Sequence, residues 1–476
     1  MADINLGVGG ANSASDAAYE VDNSLKLEEG ATEYLYYTPS SQTDYERMTF
    51  SIWIKRTELT GSGNPTRLAE FGNGTANTTN LRIGFDTSDR LFIYGNSIVW
   101  RESTQSFRDL SAWYHLFFKF DTTQGTSNDR VRVWVNGQMI AHADYNTVNN
   151  PGSGTAMGFN RTNRQTIGQQ QEGGVTANNG FNGYIAQAWG SGGTPPDVTD
   201  FGEYDTNGIW RPKDISELSI PDSNGFFLDF SNSSDLGNDS SSNNNDFTLN
   251  NISAADQATD TPTNNFCTLN ANWKYGNVPI VENCTYGGTV IQHNGPWSGA
   301  KATMGVDKGK WYWECKIGQK ENTMWGIQTD GEDNIGSGSA HVNKSTHTLY
   351  SGFSSGGYLI TTQNGTIAGD TSNYSAVWSS GDIAGIALDM DNNQITYYRN
   401  GSGLGSAFTA ITIHDNADKV NFPFIATYRE YIKINFGGYS DWESGGNSDA
   451  NGYGSFQYSV PSGYYALCTK NLAEFG

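Results

Sequence analysis

Aromatic side chains beside polar loops are the residues of this chain best suited to contact a ligand. An aromatic ring stacks on the apolar face of a sugar, while neighbouring amides and carboxylates bind its hydroxyl groups. Rings near Gly- and Asn-rich runs therefore predict carbohydrate contacts. The alternative is that they lie in the core, as most tryptophans in strands do. The candidates are Trp100, Tyr184, Trp189, Trp210 and Trp378.

A dense run of oxygen ligands is a second candidate site. The segment 330–334, DGEDN, contains Asp330, Glu332 and Asp333, whose carboxylates a hard cation such as Ca²⁺ could use. The run lacks the full spacing of a known calcium loop, so a solvated acidic loop is the alternative. The Asp and Asn residues of segment 235–246 offer further oxygen ligands. Ca²⁺ is the one cofactor that these patterns suggest.

The sequence contains no complete motif of catalytic residues among those that we considered. Retaining glycosidases built on a β-sandwich place Glu-x-Asp-x(-x)-Glu on one strand, so that two carboxylates flank the scissile bond. The nearest runs, which start at Glu20 and Glu203, lack the closing glutamate. We find no Ser-His-Asp order, and the six histidines show no metal-ligand spacing. We therefore expect a protein that is not an enzyme.

The charge balance argues against nucleic-acid and membrane partners. Lys and Arg total 28 against 50 Asp and Glu, a formal net charge of -22, which repels phosphates and anionic lipids. The sequence has no apolar stretch long enough to span a bilayer and no basic-then-apolar secretory signal. Four cysteines, none in a CxxC pair, indicate reduced structural thiols. We expect a soluble protein made in a cytoplasm.

Short strands with glycine-containing turns fill the first half of the chain. The string MTFSIWIKR, from Met48, alternates large apolar residues with Thr, Ser, Trp and Lys, which predicts a strand with one apolar face. Gly95-Asn96 and Asn136-Gly137 stand between strand-like runs and predict tight hairpin turns. Several such strands in succession predict a β-sandwich.

The second half has the same character. The string KWYWECKIG, residues 310–318, places two Trp, Cys and Ile on one face and Tyr, Glu and Lys on the other. This pattern predicts a core strand whose second face is wet, that is, exposed to solvent. The segment 382–401 predicts a hairpin that turns at Asn392-Asn393. The predicted fold class is all-β, with two β-sandwich domains.

A polar stretch from Phe226 to Asn270 separates the two halves. Its middle is rich in Ser, Asn and Asp, so we interpret it as a bridge along the surface that builds no core. The string FCTLN at 266–270 is echoed by LCTKN at 467–471, which predicts that the two segments lie side by side; chance is the alternative. The predicted parts are a flexible arm (1–22), a first sandwich (23–250), a linker (251–283) and a second sandwich (284–476).

Residues 23–250 resemble the laminin-G-like, concanavalin-A-like jelly-roll family. The resemblance lies in the strings FSIWIKR, WYHLFFKFD, VRVWVNGQ and FNGYIAQAWGSG. More narrowly, the first half resembles lectin-like domains in structural proteins of marine tailed bacteriophages, on the strings VTDFGEYDTNGIWRPK and DSSSNNNDFT.

Residues 284–438 resemble the SPRY family, a compact β-sandwich used as an interaction module. The resemblance follows the order KWYWE, MWGI, YSGF, GIALDMDNNQITYYRNG, FPFIATY and IKINFG. The flanking strings TPTNNFCTLN and PSGYYALCTKNL resemble SPRY-containing structural proteins of marine phages. SPRY domains bind partners through loops at one end of the sandwich, so the resemblance implies recognition without catalysis.

These resemblances together imply a non-enzymatic virion protein on the tail or capsid surface, synthesised in a bacterial host cytoplasm. A tail-fibre or receptor-binding component would bind host cell-surface polysaccharide; the alternative is a capsid decoration or adaptor that binds other virion proteins. Phage appendages are commonly homo-oligomers, often trimers. The sequence lacks coiled-coil, collagen-like and β-helical repeats, which favours a globular tip, knob or decoration over a fibre shaft.

Overall fold

The structure is a computed structural model, in which the chain divides into two compact units. The first unit comprises residues 19–263 and the second comprises Asn264–Gly476. The residues that the structure describes are 19–60, 65–72, 79–169, 179–193, 196–271, 284–292, 298–318, 323–329, 346–351, 357–363, 366–370, 378–405, 411–412, 420–427, 431–442 and 445–476.

The first unit is built almost entirely of strands. In chain order they are β1 (Ser24–Leu27), β2 (Tyr34–Tyr37), β3 (Arg47–Arg56), β4 (Thr66–Phe71), β5 (Leu81–Phe85), β6 (Arg90–Gly95), β7 (Ile98–Ser106), β8 (Trp113–Asp121), β9 (Val131–Val135), β10 (Gln138–Met139), β11 (Tyr145–Val148), β12 (Gln165–Ile167), β13 (Gly183–Ser191), β14 (Gly202–Tyr204), β15 (Trp210–Pro212), β16 (Phe226–Leu228), β17 (Thr248–Asn250) and β18 (Gln257–Ala258). One helical turn, α1, spans Val198–Phe201, and short 3₁₀ turns span Glu29–Ala31, Ser127–Arg130, His142–Asp144 and Ala254–Asp256.

Two antiparallel sheets form the sandwich of the first unit. The first sheet has the order β10-β9-β8-β3-β13-β1-β18, with β16 also paired to β13, and the second has the order β11-β7-β6-β5-β4-β12-β2-β17. Their inner faces share one buried apolar cluster, in which Phe50 of the first sheet meets Phe71 of the second at a ring-centroid distance of 5.3 Å. The predicted β-sandwich is confirmed.

The outer face of the first sheet is buried as well. Strand β3 alternates as predicted, and Phe50, Ile52 and Ile54 point into the core, yet Trp53 and Lys55 on its other face are also buried. Trp53 stacks on His115 of β8 at 4.9 Å, and the Lys55 ammonium bonds the Asp260 carboxylate at 2.6 Å. The predicted apolar face is confirmed, and the opposite face is buried too because residues of the same unit such as Asp260 cover it.

The polar stretch that we interpreted as a bridge along the surface belongs to the first unit as far as residue 263. It supplies β16 to the first sheet and β17 to the second, and its large apolar residues enter the core: Phe226, Phe230, Leu236 and Phe247. Its polar residues fold tight turns, as when the Asp239 carboxylate accepts backbone N–H groups of Phe227, Ser241 and Asn245. The surface-bridge interpretation was wrong because these side chains bond to their own backbone.

The predicted linker 251–283 and arm 1–22 also contribute to the first unit. Asp256 and Asp260, inside the predicted linker, form buried ion pairs with Lys26 and Lys55. Val21, inside the predicted arm, is buried and donates its backbone N–H to the Thr263 hydroxyl at 3.0 Å. The first unit therefore extends through residue 263. Residues 1–18 and 272–283 lie outside the described part of the chain.

The second unit is a further pair of sheets. Its strands are β19 (Cys284–Thr285), β20 (Val290–Gln292), β21 (Ser298–Lys301), β22 (Lys310–Ile317), β23 (Thr323–Thr329), β24 (Thr346–Ser351), β25 (Gly357–Gln363), β26 (Thr366–Asp370), β27 (Ile383–Asp389), β28 (Gln394–Arg399), β29 (Ser402–Gly403), β30 (Ile411–Thr412), β31 (Asn421–Thr427), β32 (Tyr431–Asn435) and β33 (Tyr465–Ala466), followed by helix α2 (Thr469–Phe475). One sheet has the order β19-β20-β32-β22-β27-β28-β29, with β30 and β33 added, and the other has the order β21-β31-β23-β24-β25-β26. No helix within the described residues is long and apolar enough to cross a membrane.

Two predictions for the second unit are confirmed. Strands β27 and β28 form the predicted hairpin, with Asn393 in the left-handed conformation that its tight turn needs. The echoed segments lie side by side, because Phe266 pairs with Cys468 and the Cys267 N–H donates to the Leu467 carbonyl at 3.0 Å. Cys267, Cys315 and Cys468 are free thiols.

Glu314 of β22 anchors the C-terminal segment to the second unit. The strand prediction put it on a wet face, but it is fully buried, and its carboxylate accepts the backbone N–H groups of Gln457 and Tyr458 at 2.8 and 2.9 Å. The Tyr312 hydroxyl donates a third hydrogen bond at 3.1 Å. Burial raises the pKa of Glu314 and these hydrogen bonds oppose the rise.

We predict that Glu314→Ala lowers the free energy of unfolding of the second unit by about 3 kcal/mol, because the buried Tyr312 hydroxyl and two partly buried backbone N–H groups lose their acceptor. Scanning calorimetry of the full chain is expected to show one transition at lower temperature. Lys316→Ala, on the same strand but partly exposed, is the matched control. Equal shifts for the two variants would show that the carboxylate has no special role.

Candidate functional site

A cavity of about 710 Å³ opens at one edge of the first unit's sandwich. Its volume lies in the range of about 300 to 1,000 Å³ that is typical of small-molecule sites. The lining comes from the end of β7, the β9–β10 hairpin, the 3₁₀ turn His142–Asp144 and the β14–β15 hairpin. Strand β10 is the edge of the first sheet and β11, which pairs with β7, is the edge of the second, so this pocket lies where the two sheets separate.

The β14–β15 hairpin positions two aromatic rings at the pocket. Tyr204 and Trp210 are cross-strand partners, with ring centroids 5.0 Å apart and planes inclined by 66°. Tyr204 is 47% exposed, and its hydroxyl donates to the Asn136 carbonyl at 2.9 Å, which fixes the ring against the β9–β10 turn. One face of a fixed aromatic ring is therefore available to a ligand.

Asp205 holds the turn between these two rings. Its carboxylate accepts the backbone N–H groups of Asn207 and Ile209, both at 2.9 Å, and the Arg211 Nε–H at 2.8 Å. Burial alone would raise the pKa of Asp205, but these hydrogen bonds outweigh it and hold the pKa below its ordinary value. The hairpin that presents Tyr204 is thus fixed by a charged group at neutral pH.

Trp210 is held by close packing of its ring and by a hydrogen bond at its nitrogen. Gly137, with φ of 76°, and Gly202 pack so closely on the indole that a Cβ at either position would overlap the ring. The indole Nε1–H donates to His115 Nδ1 at 3.0 Å, and the residue is 8% exposed at the pocket wall. Trp210 is therefore a rigid part of the pocket wall.

His115 supports Trp210 and is unsuited to activate Ser51. It is fully buried, with Nε2 2.8 Å from the Ser51 hydroxyl. Because Nδ1 accepts the hydrogen bond from Trp210, the neutral ring carries its hydrogen on Nε2 and donates it to Ser51. A general base would need a free lone pair at that nitrogen. Burial lowers the pKa of His115 to about 3, so the ring is neutral at ordinary pH.

We predict that His115 makes the first unit sensitive to acid. Its folded-state pKa lies below the ordinary value of 6.5, so its contribution to stability is complete above about pH 6.5 and is lost as the pH falls towards 3. The loss is at most about 1.4 kcal/mol per pH unit. Denaturant unfolding at a series of pH values is expected to give a shallower acid dependence for His115→Gln than for the natural chain; identical slopes would contradict the assignment.

The structure separates the five aromatic candidates. Trp210 lines the pocket, whereas Trp100, Tyr184 and Trp189 are buried elsewhere in the first unit and Trp378 is buried in the second, each at most 2% exposed. These four rings have no free face for a sugar, so the core alternative is correct for them. Trp189, for example, packs against Phe201, and Trp378 packs against Trp325.

Other pocket residues were missed in the sequence. Tyr204, Trp113, Met139, Gln105 and Gln138 line the cavity, and Met139 is 53% exposed. The string EYDTNGIW could have predicted part of this lining. One aromatic residue stands on each side of its turn, so the two rings are expected to lie opposite each other across a hairpin.

The candidate metal ligands form no metal site within the described residues. Asp330, Glu332 and Asp333 lie outside the described residues. Within the described ranges, no group of three or more His, Cys, Asp or Glu side chains is arranged to hold a metal ion. Asp239, from the 235–246 set, uses its carboxylate on backbone N–H groups.

Comparisons with known proteins match the two halves separately. The concanavalin A-like lectin/glucanases superfamily matches residues 29–189, and the SPRY domain family matches residues 310–439. The ATP-dependent RNA helicase Ddx1 of Drosophila melanogaster is 28% identical over 143 residues, an alignment that covers 30% of this chain and 17% of the helicase. The chain thus spans less than a fifth of that relative's length.

Solved structures resemble parts of the chain at low identity. The SPRY domain of human HERC1 is 22% identical with a TM-score of 0.25, covering 31% of this chain and 89% of that one. The CBM40 domain of the Ruminococcus gnavus IT-sialidase, bound to α2,3-sialyllactose, is 16% identical with a TM-score of 0.25, covering 35% and 89%. From the two family matches, the chain carries an N-terminal concanavalin A-like lectin-type domain and a C-terminal SPRY domain.

Proposed function

We propose that the first unit binds a glycan in the pocket between β7, the β9–β10 hairpin and the β14–β15 hairpin. The observation that carries the proposal is the half-exposed Tyr204 ring, fixed by its hydroxyl bond to Asn136 and backed by Trp210. A rigid aromatic face at the mouth of a cavity suits the apolar face of a pyranose ring.

Polar side chains around Tyr204 complete a sugar site. Gln105 and Gln138 are exposed at the lining, and each amide offers both donors and an acceptor for hydroxyl groups. Neither amide has a hydrogen-bond partner among the described residues. An aromatic platform beside free amides matches the two demands of a sugar, an apolar face and a rim of hydroxyl groups.

The proposed role is binding without hydrolysis. Hydrolysis of a glycosidic bond commonly uses two carboxylates about 5 to 10 Å apart. Among the residues that line the pocket, all of them in the described ranges, Asp144 is the single carboxylate. A lining of this composition supports a lectin-like role.

At the level of the whole protein, we propose a phage virion component, a tail-fibre or receptor-binding protein that recognises host-surface glycan. This role rests on the resemblance of the strings FGEYDTNGIWRPK and DSSSNNNDFT to marine phage structural proteins. The first of these strings is the hairpin that walls the pocket, so the sequence feature and the site coincide. The alternative is a capsid decoration or adaptor.

The test is binding of the labelled full chain to host and non-host bacteria, with and without calcium. We expect selective binding to the host, competition by free host polysaccharide and at least about tenfold weaker binding for Tyr204→Ala, the loss of ~1.4 kcal/mol. Ile98→Ala is the control, since Ile98 is 48% exposed on the same unit and lies outside the pocket lining. Binding to phage particles lacking the protein, but not to host cells, would favour the decoration or adaptor role.

A further inference from the structure

The charges at the pocket have a single sign. Among the lining residues, all within the described part of the chain, none is Lys, Arg or His, and the one charged side chain is Asp144. Asp144 is exposed, and its carboxylate accepts no hydrogen bond from a described residue. A ligand in this pocket therefore meets an uncompensated negative charge.

The two basic residues that follow Trp210 closely in the chain are already paired. Arg211 of β15 donates from Nε to the Asp205 carboxylate at 2.8 Å, and the Lys213 ammonium lies 3.5 Å from the Glu203 carboxylate. The formal net charge of -22 adds a long-range negative potential. Both the local and the overall charge thus oppose the approach of an anionic ligand.

From these charges we infer that the pocket selects neutral sugars over uronic and sialic acids and binds them without a divalent cation. The inference rests on the proposed glycan-binding function and specifies the ligand class. Both the selectivity for neutral sugars and the independence from a divalent cation follow from the side chains that line the pocket. The carboxylate of an acidic sugar would face Asp144, whereas the hydroxyl groups of a neutral sugar can donate to Asp144 and bond the amides of Gln105 and Gln138.

The independence from Ca²⁺ follows from the same side chains. Protein-bound Ca²⁺ takes about six to eight oxygen ligands, usually with several carboxylates among them. The pocket offers one carboxylate, and the Asn136 side-chain oxygen is already occupied by the backbone N–H of His115 at 2.8 Å. These residues do not fit a calcium-bridged sugar, so hydrogen bonds and ring stacking must carry the binding.

The experiment is binding of the full chain to a glycan panel that contains neutral hexose and N-acetylhexosamine oligosaccharides, uronic acid oligosaccharides and sialylated oligosaccharides, each in calcium and in EDTA. Three variants accompany the natural chain: Tyr204→Ala, Asp144→Lys and the control Ile98→Ala. We expect neutral members to bind, anionic members to bind about tenfold more weakly, and EDTA to change nothing. Asp144→Lys is expected to raise binding of the anionic members by about tenfold, since it reverses the charge that excludes them.

The outcomes separate this inference from the proposed function. If anionic members bind best and Tyr204→Ala abolishes that binding, the pocket binds glycans but the inference of neutral selectivity is overturned. Loss of neutral-sugar binding in EDTA overturns its cation-free part. If no member binds, or if binding is unchanged in Tyr204→Ala, the pocket is not the glycan site and both proposals fail.

Discussion

Replacing Trp210 with alanine is expected to abolish glycan binding by the first unit and to lower its free energy of unfolding by about 3 to 5 kcal/mol. The indole packs against Gly137 and Gly202 and forms the wall on which Tyr204 rests. Its removal leaves a cavity, frees the Tyr204 ring and takes the hydrogen bond away from His115. Calorimetry and titration with a bound panel oligosaccharide measure the two effects.

Trp378→Ala is the matched control for Trp210→Ala. Trp378 is also buried, but it belongs to the second unit, where it packs against Trp325. We expect this variant to destabilise the second unit and to leave glycan affinity unchanged. Trp210→Phe adds a second check, because it keeps a ring in the wall while it removes the indole nitrogen. Full affinity in Trp210→Ala would contradict the assigned site.

Asp260→Ala is expected to cost the first unit about 3 to 5 kcal/mol, although the residue lies in the stretch that the sequence alone assigns to a linker. The Asp260 carboxylate bonds the fully buried Lys55 ammonium at 2.6 Å and accepts the Trp113 Nε1–H at 3.0 Å. Without it, a buried cation and a buried indole N–H each lose an acceptor. Because Trp113 lines the pocket, glycan affinity should fall as well.

Denaturant unfolding of the full chain measures this effect, and Glu217→Ala provides the control. Glu217 is an exposed carboxylate of the same unit with no ion pair among the described residues, so its removal should change the free energy of unfolding by less than about 0.5 kcal/mol. If Asp260→Ala is as mild as Glu217→Ala, residues 251–263 are a connection and not a part of the first unit.

Local sequence patterns predicted the strands correctly. They did not predict that the polar segments after β15 pack onto the first unit. The alternation in β3 and the Asn-Gly and Asn-Asn turns depend on neighbouring residues, and the structure has them where the sequence puts them. The pairing of Lys55 with Asp260 joins residues 205 positions apart, which no local pattern reports. A Ser, Asn and Asp-rich composition likewise looks the same whether its side chains face water or bond a folded backbone.

The candidate site was predictable only in part for the same reason. Trp210 was among the candidates, but so were four rings that the core buries, since a residue type does not reveal what packs on it. Tyr204 was missed because its exposure depends on the hydroxyl bond to the Asn136 carbonyl, a contact between two hairpins. The turn between Tyr204 and Trp210 was the one sequence feature that could have joined them.

The most direct test of the pocket is a nuclear magnetic resonance titration of the tryptophan indole N–H signals with a neutral oligosaccharide that binds the protein. Trp210→Phe and Trp113→Phe assign the two pocket signals, and Trp378→Phe assigns a reference in the second unit. Ligand binding at the proposed site should shift the Trp210 and Trp113 signals with the same saturation as the binding curve and leave the Trp378 signal in place. Saturable binding with both pocket signals unmoved would place the glycan elsewhere and contradict the assignment of the glycan site to this pocket.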